Sequence, residues 1–490
     1  MKTFLILVLT MVAFSSQAKT YYVATDGSNS NSGDLNAPFG TIPKAISLVQ
    51  PGDKIYIRGG HYTINSTIYI STSGTKADTC FLKAYPGERP VLDFSGTDFG
   101  KRGISLKASY WYIYGLDVAK AGDNGLNISG GSNNTIERCS FYENQDTGVQ
   151  IGGGAHDMTI INCDSYYNAD PPDYGDADGF APKLDVGTNI KFIGCRAWGN
   201  CDDGWDGYLR GSDNVTVILD HCWTWGNGYF KDGTDAGPKA NGNGFKMGGG
   251  DNSNSANLKH NFYLNNCVSF DNKAKGFDQN NNAGTMQLLN CSGYNNLSAN
   301  YRITRTLAAG QTLTVKNCVS YQGKVDLADF AIEATNSWMS PFSVSAADFV
   351  TMDTTGVSGP RKADGSLPDV NFFHLAKGSD LIDVGTNVGL AFLGTAPDLG
   401  AFEYDQTTGV ADFQQKDLKA YFAGNELVIN YQGKITHPVI CKLYGLNGQV
   451  ISQFNLKSVQ SRFNYSNLNS GIYVLELSTD SGRLTRKVMK

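Results

Sequence analysis

Short alternating runs of apolar and polar residues, of which Met158-Thr159-Ile160-Ile161 and Leu313-Thr314-Val315 are typical, recur along the chain, and each ends close to a cysteine. Seven cysteines share one phase, with an aromatic residue three positions on: Cys139/Tyr142, Cys163/Tyr166, Cys195/Trp198, Cys222/Trp225, Cys267/Phe270, Cys291/Tyr294 and Cys318/Tyr321. Asparagine follows six of them at the fifth position (144, 168, 200, 227, 272 and 296), and Gly323 takes the seventh place. The cysteine spacings of 24, 32, 27, 45, 24 and 27 residues signal a solenoid. Strand-like runs with turn residues between them and no helical pattern predict an all-β chain, a parallel β-helix coiled right-handedly by the crossover rule. Apolar residues at 42, 45, 46 and 49 have helical spacing and predict a cap on the open end of the coil. Pro397 to Tyr404 reads as a last strand. From about Leu418 the pattern changes to alternating strands with Asn447-Gly448 and Ser470-Gly471 turns, predicting a small C-terminal β-sandwich.

The N-terminus adds an export signal: Lys2, an apolar stretch from Phe4 to Phe14, then Ser16-Gln17-Ala18. The expected organisation is a signal peptide over 1–18, a β-helix over 19–405, a linker over 406–416 and a C-terminal domain over 417–490. No later segment offers the ~20 apolar residues of a membrane span. Glycine numbers 57 and charged residues make up 18%, as suits strands and turns. A formal charge of −6 with no basic run argues against nucleic acid. Ten cysteines in an exported protein invite a disulfide reading. Their common phase favours a ladder of buried free thiols instead, one per rung.

Candidate chemistry stands where the repeat is irregular. Seven extra residues separate Asn168 from Gly179, and thirteen separate Asn227 from Gly244; insertions in solenoids map to loops, often on the binding face. Aligning the rungs on the glycine after each asparagine puts Thr147, Asp178, Asp203, Asn243 and Lys275 in one column. Gln150, Ala181, Asp206, Lys246, Asp278 and Arg302 fall in another. With rungs ~4.8 Å apart, Asp178, Asp202, Asp203 and Asp206 gather on two adjacent rungs and Lys246 lies one rung further. Clustered carboxylates need a cation, and an all-oxygen set favours calcium. Aspartates serving turns are the plain alternative.

The segments Asp178-Gly179-Phe180, Asp202-Asp203-Gly204-Trp205-Asp206, Gly242-Asn243-Gly244-Phe245-Lys246 and Lys275-Gly276-Phe277-Asp278 resemble, in order, those of family 9 polysaccharide lyases. The resemblance implies that Asp178, Asp202, Asp203 and Asp206 bind Ca2+ and that Lys246 is the base in β-elimination on a pectic polysaccharide. Homogalacturonan is the first choice and rhamnogalacturonan the alternative. Lys183, Arg210, Lys275 and Arg302 are candidates for contacting substrate carboxylates, and Trp205 and Tyr208 for stacking on sugars. The C-terminal segment, with Tyr444-Gly445-Leu446-Asn447-Gly448 and Gly471-Ile472-Tyr473-Val474, resembles a type 9 secretion sorting domain. It implies engagement with the secretion machinery and an extracellular or cell-surface destination. A β-helical glycoside hydrolase, which needs an acid and base pair of carboxylates, and a non-catalytic glycan-binding solenoid stay open on the residues alone.

Overall fold

In a computed structural model, the structure describes residues 18–250, 253, 258–405, 418–431, 439–445, 449–456, 458–469, 471–479 and 482–490. The leader expected over 1–18 lies outside the described residues except for Ala18, as do the linker 406–416, the Asn447-Gly448 turn and Ser470. The described residues divide into two compact units, one up to Glu403 and one from Tyr404.

Each of the seven rungs that carry the phased cysteines bends because two of its residues take the left-handed backbone region. One immediately precedes the phased cysteine (Arg138, Asn162, Gly194, His221, Asn266, Asn290, Asn317). The other immediately precedes the ladder position (Glu143, Tyr167, Gly199, Gly226, Asp271, Asn295, Gln322). Asparagine and glycine reach this region most cheaply, and they supply eight of these fourteen corners. The corners cut these rungs into three short strands each. Like strands stack in parallel into three sheets of 12, 10 and 10 strands, each strand bonded to its counterparts one rung away.

Two side-chain ladders hold the rungs in register. The asparagine amides bond in series: the Nδ2 groups of Asn144, Asn168, Asn200, Asn227 and Asn272 each donate to the Oδ1 of the next ladder asparagine, at 2.8–3.1 Å. Each accepting oxygen also takes the backbone N–H of the preceding asparagine, so both buried groups are satisfied. The series ends on Asn300, whose Oδ1 accepts from Asn296 at 2.9 Å where Gly323 has no side chain to offer. All ten cysteines are free and buried. The aromatics three residues on form a stack, Tyr142–Tyr166–Trp198–Trp225–Phe270, with centroids 4.3–5.4 Å apart.

A short helix, Ile42–Ile46, caps the coil: Thr41 accepts from the Lys44 N–H, and Ile42, Ala45 and Ile46 are buried. The last strand of the coil is Ile332–Ala334, so the strand expected over Pro397–Tyr404 does not form. Two of its donors go to the coil instead. Gly400 N–H donates to Asn317 O at 2.8 Å and Ala401 N–H to Ser292 Oγ at 2.9 Å. The second unit has two antiparallel sheets of three and four strands over a core that includes Leu427, Ile429, Cys441, Leu443, Leu475 and Leu477.

Candidate active site

Four neighbouring strands of one ten-stranded sheet carry the site: Phe180–Pro182, Trp205–Tyr208, Phe245–Gly249 and Lys275–Asp278. Side chains alternate across a strand. Phe180, Trp205, Phe245 and Phe277 therefore point into the coil as a continuous ring stack, with centroids 4.9, 4.9 and 5.2 Å apart. Asp206, Lys246 and Asp278 take the outer face and pair in register across the rungs. In the turns leading into the first three of these strands, Gly179, Gly204 and Gly244 donate to the carbonyls of Asp203, Asn243 and Lys275. A Cβ on Gly204 would lie 2.0 Å from Thr224 Oγ1, so only glycine lets this turn sit so close.

The column side chains bond along the stack as well. Asp178 Oδ1 accepts the Asp203 N–H at 3.1 Å, and Asp203 Oδ1 accepts the Asn243 N–H at 2.7 Å. Asp202 Oδ1 accepts the Asn241 N–H at 2.5 Å, a contact delivered by the thirteen-residue insertion. Carboxylate oxygens of Asp178, Asp202 and Asp203, all buried, lie within 4.8 Å of one another. Asp206 stands outside this triad, facing two lysines: its Oδ1 is 3.3 Å from Lys246 Nζ and its Oδ2 3.6 Å from Lys183 Nζ. Lys246 Nζ is also 3.0 Å from Asp203 Oδ2. Apart from this ion pair, Asp203 Oδ2 is buried with no hydrogen bond among the described residues.

Burial, followed by the charge of neighbouring aspartates, pushes the carboxyls of Asp178 and Asp202 well above the usual range, although Lys183 and Lys246 pull them down. Burial raises Asp203 too, against the pull of Lys246. Burial also acts on Asp206, but the two lysines outweigh it and hold this carboxyl low. The triad is thus under-neutralised by the chain's own cations. With an orphaned buried oxygen and an all-oxygen donor set, it fits a hard divalent cation.

Asp202, Asp206 and Lys246 open onto a groove of about 580 Å³. Tyr208 and Arg210 line it; Lys275 and Arg302 lie on the same sheet, beyond the groove's lining residues. Two expectations need correction. Trp205 is fully buried in the ring stack and cannot meet a sugar, because Asp206 beside it takes the outer face. Lys183 lines the groove floor, but its ammonium is held by Asp178 at 2.7 Å rather than offered to substrate. Arg102, Asp146 and Asn241 also line the groove and were not anticipated. Burial pushes Asp146 up to about 6, against the pull of Lys183.

Residues 21–317 match the Pel9A-like, right handed beta helix region. The chain belongs to the Pel9A-like family. Among its relatives, pectate lyase L of Dickeya dadantii (strain 3937) is 38% identical over 403 residues, covering 79% of this chain and 91% of that protein. Pectate lyase L of Paenibacillus polymyxa (strain SC2) is also 38% identical, covering 75% and 84%. The crystal structure of pectate lyase Pel9A superposes with a TM-score of 0.73 at 36% identity, covering 80% of this chain and 97% of that one. A rhamnogalacturonan lyase superposes at 0.64 with 25% identity, covering 74% and 97%. This Pel9A-like chain is a polysaccharide lyase, and the hydrolase and binding-module readings fall away. Residues 423–490 match the secretion system C-terminal sorting domain, which marks the protein for export. No helix among the described residues is long and apolar enough to cross a membrane.

Proposed function

We propose that this protein is an exported pectate lyase that cleaves α-1,4-linked galacturonan by β-elimination, with Lys246 as the base and a calcium ion held by Asp178, Asp202 and Asp203, with Asp206 beside them. The observation that carries this reading is the placement of Lys246 Nζ 3.0 Å from the under-neutralised Asp203, at the edge of a groove open to a polymer. Calcium supplies positive charge toward the uronate carboxylate, making the proton at C5 more acidic. Neutral Lys246 accepts that proton. The electron pair it leaves forms the C4–C5 double bond as the C4–O bond breaks, and the departing oxygen takes a proton from water. Asp206 and Asp203 hold Lys246 Nζ from two sides, which fixes the flexible lysine stem over one point of the groove.

The two pectate lyase L relatives and the Pel9A structure support this choice of substrate. Rhamnogalacturonan is the second reading, favoured by the likeness to a rhamnogalacturonan lyase. Incubating the protein with each polymer and recording ultraviolet absorbance separates the two, because elimination creates an absorbing double bond. The expected result is a strong signal on polygalacturonate that is lost in Lys246→Arg while polymer binding persists. Arginine keeps the charge but cannot give up its proton. Substantial turnover by that variant would remove Lys246 from the role of base.

A further inference from the structure

The strand Phe245–Gly249 carries one residue more than its neighbour Trp205–Tyr208. Asp206 pairs with Lys246, but Tyr208 pairs with Gly249, so Met247 and Gly248 together oppose Gly207. Bulges twist a strand and re-aim the side chains beside them. This one begins directly after Lys246 and faces the residue directly after Asp206.

Against the bulge, fully buried, lies His260. Its Nδ1 is 2.7 Å from Gly207 O, and because a carbonyl only accepts, Nδ1 carries the proton and donates. Nε2 has no partner among the described residues, and burial keeps the ring neutral, with its pKa lowered to about 4. The glycines make the space. A Cβ on Gly248, where φ is +93°, would lie 2.7 Å from His260 Cβ, and one on Gly207 would lie 2.6 Å from the Phe262 ring.

Asn282 grips the other side of His260. Its Nδ2 donates to His260 O at 2.6 Å and to Met247 O at 2.7 Å, and its Oδ1 accepts the His260 N–H at 3.0 Å. Residue His260 therefore ties the two strands together, its ring bonded to the carbonyl of Gly207, the residue after Asp206, and its backbone bonded to Asn282, which holds the carbonyl of Met247, the residue after Lys246. None of His260, Asn282, Gly207 and Met247 lines the groove.

We propose that His260, braced by Asn282, is a positioning residue that fixes the bulge and thereby aims Lys246 and Asp206 at each other. The proposal rests on Lys246 acting as the base. A four-carbon stem does not place its own nitrogen, and proton transfer demands a fixed distance. The orientation of the two backbones sets where Nζ can lie.

The test compares His260→Asn, His260→Gln and His260→Leu in the full-length protein, measuring kcat and KM on polygalacturonate and the thermal midpoint. Asparagine places its amide nitrogen where Nδ1 stands, glutamine moves the donor outward, and leucine removes it. The asparagine variant is expected within about threefold of native kcat. Glutamine and leucine are expected about tenfold or more below it, with KM within about twofold, as for a small misplacement of a reacting group. Native kcat per folded molecule in the leucine variant, or equal kcat in the glutamine and asparagine variants, would overturn the proposal. If leucine prevents folding, the asparagine and glutamine pair alone decides. A flat His260 series with Lys246→Arg inactive removes only the brace, whereas turnover surviving in Lys246→Arg removes the base itself.

Discussion

Lys246 is pulled two ways. Burial disfavours its ammonium, yet the charges of Asp203, Asp206, Asp202 and Asp178 outweigh burial and hold its pKa well above that of an ordinary lysine. The proposed role as base requires the unprotonated amine, so on that reading the chain alone keeps Lys246 in its inactive form at neutral pH. A divalent cation on the triad offsets the carboxylate charge that raises the ammonium. Because a raised pKa leaves the neutral amine only at high pH, the rate is expected to climb with pH. Saturating calcium is expected to shift that rising limb to lower pH. The raised carboxyls of Asp178 and Asp202 add a second effect of the same sign, since protons compete with the cation as pH falls. Initial rates across pH at low and saturating calcium, with a chelated control expected to be inactive, check this. A limb that does not move with calcium would place the control of Lys246 elsewhere.

Among the elements, the asparagine ladder shows how much one side chain supports. Asn200 Oδ1 takes both the backbone N–H and the amide of Asn168, and its own amide donates to Asn227. Asn200→Ala leaves the Asn168 backbone N–H buried without its acceptor and breaks the amide series at that rung, and an unsatisfied buried group costs about 1–3 kcal/mol. A clear drop in the urea midpoint is expected, with Lys246 chemistry retained in the folded fraction; an unchanged midpoint would mean the ladder adds nothing. The ladder, the thiol phase and the Asp206–Lys246 register were legible because a solenoid repeats its offsets. Trp205 was misread because it was taken from a motif instead of from its parity with Asp206, which settles the face. Asn241 was invisible because it sits in an insertion without periodicity. His260 looked like any lone histidine on an apolar strand, and only the pairing of Tyr208 with Gly249 reveals the bulge it serves. The strand expected over Pro397–Tyr404 failed because an alternating pattern does not say whether a sheet edge or scattered acceptors on the coil will take the backbone donors.

At the scale of the whole molecule, the groove and its supports draw only on the first unit, and stability in a solenoid comes from neighbouring rungs. Removing residues 417–490 is therefore expected to leave turnover on polygalacturonate unchanged while abolishing export in the native host. Activity of the purified truncation and the location of the protein in culture measure the two effects. Loss of turnover in a well-folded truncation would show that the lyase domain extends past residue 405. The route outward gives the buried cysteines a further meaning. Exported chains meet oxidising surroundings, and a thiol is safe there only once it is inside. Ten reduced cysteines, each shielded only by the finished structure, set a deadline for folding: the chain must close over each sulfur before an oxidant reaches it.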